Sequence, residues 1–444
     1  MAVTNVSTST VTATGTATSN TGAMTIVTTL FFMWGFITCL NDILIPHLKN
    51  IFDLNYAQGM LVQFAFFSGY FVFALPAGRI VEWLGYKRTM VIGLLTMALG
   101  AWLFLPAASV PSFPFFLTAL IIVAAGMTAL QVSANAYVSV LGSPDKASSR
   151  LNLTQAFNSL GTTVAPYFGS VLILSTAAVA IDQVRKMSPE ALQSYRLHEA
   201  ATVKFPYMLI AGTLMLLALV IAMYKLPEIS SAQDAKEAAG PHASRTAILW
   251  KHRHLILGVV GIFVYVGAEV SIGSFLVNYF SQPNIGAMSE KTAARYVSFY
   301  WMFAMIGRFI GSAVLRKVKT GTLLGFVAIM ACGLVITSML SFGHMAMWAI
   351  IFVGLFNSVM FPSIFTLGIA GLGALTGEGS GLLVAAIVGG AIIPEIQGVL
   401  ADHIGIHHAF IIPVLCYCYI AYYGFKGSKP LSTAHERPAE VPAG

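Results

Sequence analysis

Charged residues are scarce in this chain. Only 9% of its 444 residues are Asp, Glu, Lys or Arg, whereas an ordinary soluble protein has about 25%. That number of charges is too small to cover the surface of a soluble protein of this length, and 57% of the residues are hydrophobic. The composition therefore excludes a soluble multidomain enzyme and predicts a protein embedded in a lipid bilayer.

Several other features are missing. The four cysteines lie in apolar stretches without metal-ligand spacing, so neither a disulfide framework nor a metal site is expected. The glycine-rich stretch 371–381 lacks the Lys-Ser/Thr pair of a phosphate-binding loop, and no nucleophile–base pair is evident. We therefore expect no enzyme activity and no cofactor. The net charge of +7 does not indicate nucleic acid, because the basic residues form short clusters between apolar runs.

Long apolar runs dominate what is present. A membrane-spanning helix needs about 20 mostly apolar residues, and the chain contains twelve such runs. This pattern predicts an all-α polytopic membrane protein. The predicted spans are 24–46, 58–82, 88–107, 113–141, 150–176, 204–226, 255–281, 292–315, 321–342, 345–373, 379–401 and 406–427.

The spacing of the spans predicts two halves. Residues 24–226 and 255–427 would each form a six-helix bundle, joined by a charged linker at 227–254 and flanked by flexible tails at 1–23 and 428–444. About 16 basic residues fall on one side of the membrane and about 7 on the other, four of the latter in or directly after one long loop, 177–203. Both tails and the linker are therefore predicted to be cytoplasmic.

One short motif recurs in the two halves. Gly78-Arg79 is followed by Glu82, Gly85, Lys87 and Arg88, and Gly307-Arg308 is followed by Gly311 and two basic residues. The first copy resembles the loop motif of the major facilitator superfamily. The resemblance implies a conformational latch formed by Gly78, Glu82, Gly85, Lys87, Arg88 and Arg308. The alternative is a basic cytoplasmic turn with incidental charges.

Longer strings resemble one branch of that superfamily. They include FMWGFITCLNDILIP (32–46), FFSGYFVFALPAG (66–78), ALQVSANAYV (129–138), RLNLTQAFNSLG (150–161), YVGAEVSIGSFLVNY (265–279) and FPSIFTLG (361–368). These strings look like the fucose/glucose–galactose:proton symporter family. The resemblance implies a twelve-helix sugar–proton symporter of the bacterial inner membrane, working by alternating access.

The resemblance assigns roles to three positions. Asp42, next to Asn41, matches the first-helix acid implicated in proton coupling. Gln131 stands where fucose-type members carry Glu, and Glu269 stands where glucose/galactose-type members carry Glu. The pattern resembles the glucose/galactose branch and suggests proton coupling by Asp42 and Glu269. Carriers of L-fucose or N-acetylglucosamine remain alternatives, as does Na⁺ in place of H⁺.

Ionisable residues inside a span are costly and need a reason. Asp42 is either a proton carrier or an interfacial acid paired with Lys49, and Glu269 either serves transport or forms a structural ion pair with Arg308. Glu395 follows a proline in the eleventh span, and its role is left open. The histidines His403, His407 and His408 are predicted to lie at the surface of an outer turn.

Uncharged amides are suited to reading sugar hydroxyl groups, because one amide both donates and accepts hydrogen bonds. Gln131 and Asn135 are four residues apart, hence on one helix face, and Asn152, Gln155 and Asn158 form a second stripe. The alternative is interhelical hydrogen bonding. The predicted substrate-binding residues are Asn41, Gln131, Asn135, Gln155, Phe157, Asn158, Asn278 and Asn357.

The predicted partners are a small sugar, H⁺ and the lipid bilayer, and a monomer is expected. The competing hypothesis is a drug or metabolite exporter on the same scaffold. Such an exporter would be expected to have a more apolar cavity than the two amide stripes imply.

Overall fold

The computed structural model describes residues 17–52, 56–109, 112–172, 187–202, 204–227 and 249–429, and some side chains in these ranges, including those of 40–52 and 56–63, lie outside the description. The described part consists of helices and the turns between them, with no strand among the described residues. The helices are α1 Ala17–Phe52, α2 Tyr56–Ser109, α3 Phe113–Val140, α4 Ala147–Leu172, α5 Pro189–Thr202, α6 Lys204–Met223, α7 Arg253–Ser281, α8 Glu290–Val314, α9 Thr320–Leu340, α10 Gly343–Asn357, α11 Met360–Gly368, α12 Thr376–Ala385, α13 Gly389–Ile404, α14 Ile406–Ala409 and α15 Ile411–Tyr422.

These helices account for the twelve predicted spans. In the described residues, nine segments are long and apolar enough to cross a membrane. One of them, 66–107, has 42 residues and bends at Gly85, where φ is +78°, so it makes two crossings. Helices α1 and α4 add two more crossings. The prediction of an all-α protein with twelve spans is therefore confirmed.

Two of the spans are interrupted. The tenth consists of α10 and α11, which are separated at Ser358 and Val359. Pro362 in the first turn of α11 has no N–H with which to bond the carbonyl of Ser358, which explains the interruption. The eleventh consists of α12 and α13, joined by a 3₁₀ turn at Ala386–Val388. Interrupted helices near the middle of a membrane are characteristic of secondary transporters.

The ends of some predicted elements differ from the structure. Helix α1 begins at Ala17, so residues 17–23 of the expected flexible tail are helical. The loop 177–203 contains a further helix, α5, which the apolar pattern missed because its residues are mostly polar. Pro189 and Glu190 at its start are favourable in the first turn of a helix.

The two halves contact each other at one end of the molecule. This end carries the turns 85–88, 141–146 and 315–319 with their lysines and arginines, and we call it the basic face. Helix α2 packs against α12, and α4 packs against α8 and α11. At this level Ser149 Oγ donates to the Ser312 carbonyl at 2.6 Å, and Ser312 Oγ donates to the Ser149 carbonyl at 3.1 Å. The halves are thus joined by reciprocal hydrogen bonds.

Candidate functional site

A central cavity lies between the two halves. Its volume is about 160 Å³, and both halves contribute to its wall. The first half supplies two amides, and the second supplies a carboxylate and a guanidinium. The lining residues are Trp34, Gln131, Gln155, Tyr265, Val266, Glu269, Arg308, Phe361, Pro362 and Ile387.

Glu269 is the acid of this cavity. Its Oε1 accepts a hydrogen bond of 2.8 Å from the Tyr265 hydroxyl, one helical turn earlier on α7. The same oxygen lies 4.0 Å from Arg308 Nη2, and both side chains are largely buried. A second guanidinium nitrogen, Nη1 of Arg308, donates to Ser159 Oγ on α4. Arg308 therefore links the carboxylate of the second half to a helix of the first.

The position of Arg308 corrects its assignment to the latch. Arg308 lies on α8 six residues before the helix ends at Val314, so its side chain is at the cavity and not in the basic turn. The repeated Gly-Arg pair suggested equivalence with Gly78-Arg79. Gly307 instead packs against the carbonyl of Leu355 in its own half, and the glycine that approaches the first half is Gly311 in the next turn, where an added Cβ would lie 3.0 Å from Asn152 Nδ2.

Three predicted amides meet at the first half's wall. Gln131 Nε2 donates to the Tyr70 hydroxyl at 3.2 Å, and Gln155 Nε2 donates to Asn135 Oδ1 at a long 3.5 Å. Gln131 and Gln155 line the cavity, whereas Asn135 lies fully buried behind them. The two predicted stripes, on α3 and α4, therefore face each other.

Several buried polar atoms in this region have no hydrogen-bond partner among the described residues. They are Gln131 Oε1, Asn135 Nδ2, Asn152 Oδ1, Arg308 Nε and Asn357 Oδ1. A buried amide atom without a partner costs about 1–3 kcal/mol. Of these atoms, Gln131 Oε1 and Arg308 Nε belong to residues that line the cavity, which fits a site for a polar molecule.

Besides Asn135 and Asn357, which do not line the central cavity, three predicted substrate-binding residues lie outside it, and two of these three face elsewhere. Phe157 packs edge-on against Phe309 and lines a groove with α1. It is two residues after Gln155, hence turned by about 200° around the helix axis. Asn278 lies beside Glu395 in a separate pocket of about 620 Å³. It is nine residues beyond Glu269, or about 14 Å along α7. Neither Phe157 nor Asn278 therefore lines the central cavity, as the sequence had led us to expect.

The third, Asn158, borders a neighbouring cavity of about 530 Å³ between α4 and α8. Its Nδ2 donates to the Phe31 carbonyl at 2.9 Å. Arg308 lines this cavity as well as the central one, so the two adjoin. The second cavity extends along α4 through Thr162 and Pro166, away from the basic face. A second cavity therefore adjoins the central one on the side away from the basic face.

Asn357 lies behind the second half's wall. Its Nδ2 donates to the Tyr300 hydroxyl at 2.8 Å, and its carbonyl accepts from the Tyr265 hydroxyl at 3.1 Å. Asn41 and Asp42 lie on α1, but their side chains fall outside the described part of the structure. Their assigned roles therefore stay predictions.

Sequence reasoning missed part of the wall. Phe361 and Pro362 on α11 line the cavity, and so does Ile387 in the 3₁₀ turn. A usable signal existed for the first two, since they begin the FPSIFTLG string. Trp34 and Tyr265 were candidates for stacking on a pyranose ring, but the sequence could not separate them from the other aromatic residues, which make up 12% of the chain.

The predicted latch residues lie at the basic face. A Cβ added to Gly78 would lie 2.8 Å from the Gly377 carbonyl, and a Cβ added to Gly377 would lie 3.2 Å from Cγ of Glu82, which is buried. Lys87 does not reach Glu82 but donates at 2.9 Å to the Ala222 carbonyl, which belongs to the last turn of α6. Arg88 is exposed.

Metal-ligand groups do not cluster among the described residues. The prediction of surface histidines is wrong for His407, which is 6% exposed. Its Nδ1 lies 3.1 Å from the Tyr279 hydroxyl, and its ring stacks on Phe342 at 5.2 Å. Short helix α14 packs this side chain against the ends of α7 and α9, which the sequence did not reveal.

The structure consists of two bundles of membrane-spanning helices that are joined at the basic face. They enclose a polar cavity with one carboxylate and one guanidinium. This arrangement is that of a polytopic membrane transporter. The family description Major Facilitator Superfamily matches residues 24–394. The chain belongs to this family, which confirms the resemblance stated above. The relatives are transporters rather than enzymes, which confirms that expectation as well.

The similar proteins indicate which branch of the superfamily this chain resembles. The chain is 54% identical over 407 residues to the glucose/galactose transporter of Brucella abortus biovar 1, covering 92% of this chain and 94% of the relative. It is 37% identical to the L-fucose-proton symporter of Escherichia coli, covering 88% and 90%. The crystal structure of the transporter FucP in the outward conformation matches with a TM-score of 0.84 and 35% identity, covering 91% of this chain and 98% of that one.

Proposed function

We propose that this protein is a secondary active transporter that takes up a hexose such as glucose or galactose together with a proton. The observation that carries the proposal is the pairing of Glu269 and Arg308 inside a cavity lined by Gln131 and Gln155. The amides offer donors and acceptors to sugar hydroxyl groups, and the rings of Trp34 and Phe361 offer apolar surface to the pyranose ring. The names of the relatives support the same substrate class.

The proposed mechanism is alternating access. Residues 24–226 and 255–427 rock against each other around the central cavity. The contacts at the basic face, together with the cavity that continues from Arg308 away from it, support an outward-facing state. Protonation of Asp42 and Glu269 and binding of the sugar favour the same change of state, because a ligand shifts such an equilibrium only by its differential affinity.

Five of the six predicted latch residues remain in the proposal, and Arg308 is left out. Gly78 and Gly85 allow α2 to approach α12 and to turn, and Glu82 is buried at that contact. Lys87 and Arg88 lie on the turn, where Lys87 binds the end of α6. We propose that Gly78, Glu82, Gly85, Lys87 and Arg88 stabilise the state closed at the basic face.

The proposed location is the bacterial inner membrane. We propose that the tails 1–23 and 428–444 and the linker 227–254 lie in the cytoplasm, because the basic residues concentrate on that side. The bacterial relatives support this location. The protein is proposed to act as a monomer, since each chain contains its own complete cavity.

The deciding experiment uses purified protein in proteoliposomes. An inward pH or Na⁺ gradient is imposed, and uptake of glucose, galactose, mannose, L-fucose and N-acetylglucosamine is measured in parallel. We expect glucose or galactose to accumulate with the pH gradient alone, and Asp42→Asn and Glu269→Gln to abolish accumulation. Accumulation only with Na⁺, or of L-fucose or N-acetylglucosamine alone, would replace the proposed ion or sugar. No accumulation of any sugar would contradict symport and favour the exporter hypothesis.

A further inference from the structure

The interruption of the tenth span leaves the Asn357 carbonyl without a hydrogen-bond partner in its own helix, close to Glu269. Helix α10 ends at Asn357, and α11 starts at Met360. The last four carbonyl groups of a helix have no partner within it. The Asn357 carbonyl is one of these, and it accepts a hydrogen bond of 3.1 Å from the Tyr265 hydroxyl of α7.

The same hydroxyl also serves Glu269. Its distance to Glu269 Oε1 is 2.8 Å, so two acceptors lie within reach of one phenol group. A tyrosine hydroxyl has a single proton to donate. Tyr265 can therefore donate to the carboxylate or to the Asn357 carbonyl, but not fully to both. Which acceptor receives the proton depends on the charge of Glu269, because hydrogen bonds to an ionised group are the stronger ones.

We propose that Tyr265 is a positioning residue that transmits the protonation of Glu269 to the interruption of the tenth span. When Glu269 is ionised, Tyr265 donates to its carboxylate. When Glu269 takes up a proton from water in the cavity, the new carboxyl O–H donates to the Tyr265 oxygen. The Tyr265 O–H then turns to the Asn357 carbonyl, and the Tyr265 O–H bond itself is never broken. This inference rests on the proposed proton coupling.

The other groups around Glu269 are compatible with this change in the acceptor of the Tyr265 hydroxyl. Among the described residues, those facing it are Arg308 and Tyr300 of α8, Tyr417 of α15 and Tyr265 itself. Arg308 lies 4.0 Å away and favours the ionised form, so protonation also loosens its attraction to α7. Tyr300 accepts from Asn357 Nδ2, which fixes the side chain of the residue whose carbonyl Tyr265 addresses.

Helix α11, which follows the interruption, connects Tyr265 and Asn357 with the central cavity and with the contact between the halves. Its first turn carries Phe361 and Pro362, which line the sugar cavity. Its last turns carry Thr366, whose hydroxyl meets Ser148 of the first half at the basic face. A change in the hydrogen bond at Asn357 therefore acts at one end of a segment that touches both the sugar and the contact between the halves.

The test compares Tyr265→Phe with Tyr423→Phe. Both changes remove a fully buried hydroxyl that donates to a backbone carbonyl at 3.1 Å in the second half, but Tyr423 bonds His254 and lines no part of the cavity. Each protein is placed in proteoliposomes with the hexose that wild type accumulates. Accumulation is measured under a pH difference of one unit, and counterflow exchange is measured at equal pH over a range of pH values.

With one proton per sugar, one pH unit sustains an accumulation of about tenfold. We expect wild type and Tyr423→Phe to approach this ratio, and Tyr265→Phe to fall toward a ratio of one. Counterflow by Tyr265→Phe should persist but lose the pH dependence that wild type shows. This combination separates a coupling role from a structural one, which would lower both activities in both variants.

Three results would overturn the inference: accumulation by Tyr265→Phe at the wild-type ratio, equal losses in the two tyrosine variants, or loss of counterflow together with accumulation in Tyr265→Phe alone. The last would put the hydroxyl in sugar binding instead. Failure of wild type to accumulate any hexose is a different result, because it would contradict the proposed function itself.

Discussion

Gln155 carries the sugar-binding proposal at the scale of single residues. Its side chain is buried to all but 7% and lines the cavity, and within the described part of the chain it makes a single long hydrogen bond of 3.5 Å, to Asn135. Much of its hydrogen-bonding capacity is therefore available to a ligand. A hydrogen bond contributes about 0.5–1.5 kcal/mol net, which corresponds to a change of about 2- to 13-fold in affinity.

We therefore expect Gln155→Ala to weaken hexose binding by about 2- to 13-fold, measured by calorimetry in detergent. Phe157→Leu is the matched control on the same helix, because Phe157 faces the groove beside α1 and not the cavity. Its affinity should equal that of wild type. Unchanged binding in Gln155→Ala would remove this residue from the site, and weakened binding in Phe157→Leu would restore the original assignment.

Sequence reasoning found a residue of the site where the residues near it in the sequence indicated which face of the helix it occupies. Gln131 and Gln155 were predictable, because amides at helical spacing in an apolar span are rare and share one face. Phe157 was misplaced, since closeness in sequence to a polar stripe does not mean the same side of the helix. Arg308 could not be placed, because its partners Glu269 and Ser159 come from other helices.

At the scale of helices, the contact between α2 and α12 depends on the absence of side chains. A Cβ at Gly78 would meet the Gly377 carbonyl at 2.8 Å and Glu378 Cα at 3.2 Å, and neither is free to move. Overpacking of this kind costs about 1–3 kcal/mol. That cost falls only on the state in which the two helices touch.

We therefore expect Gly78→Ala to shift the protein away from the state closed at the basic face. Spin labels at exposed Lys146 and Lys319, in a background without the native cysteines, should report longer distances between the halves. Gly212→Ala on α6 is the matched control, because an added Cβ there meets nothing within 4 Å. Unchanged distances in Gly78→Ala would show that the contact does not hold this state.

Helices were predicted more completely than their interruptions. The apolar runs gave all twelve crossings, since about 20 apolar residues suffice to identify one. The 3₁₀ turn at Ala386–Val388 has no distinctive residue of its own. The interruption at Ser358 and Val359 follows from Pro362, but a proline in an apolar span kinks many helices without dividing them.

At the scale of the whole molecule, the distribution of basic residues predicts the orientation. We expect a fluorescent protein fused after residue 444 to be bright, because it would fold in the cytoplasm. A reporter enzyme that requires disulfide bonds should be active when inserted at residue 188, in the loop 177–203, and inactive at the C-terminus. The reverse pattern would invert the proposed topology and turn the basic face outward.

The polar residues that helix α4 contributes to the proposed sugar site also affect how this helix inserts into the membrane. It is absent from the nine segments apolar enough to span a membrane by composition alone, because it carries Asn152, Gln155 and Asn158. Polar residues at a helix centre oppose release from the translocon into lipid. Helix α4 packs along α1, whose Phe31 carbonyl accepts from Asn158. The amides that suit α4 to a sugar thus make its insertion depend on a helix synthesised roughly a hundred residues earlier, so fragments lacking α1 should fail to integrate α4.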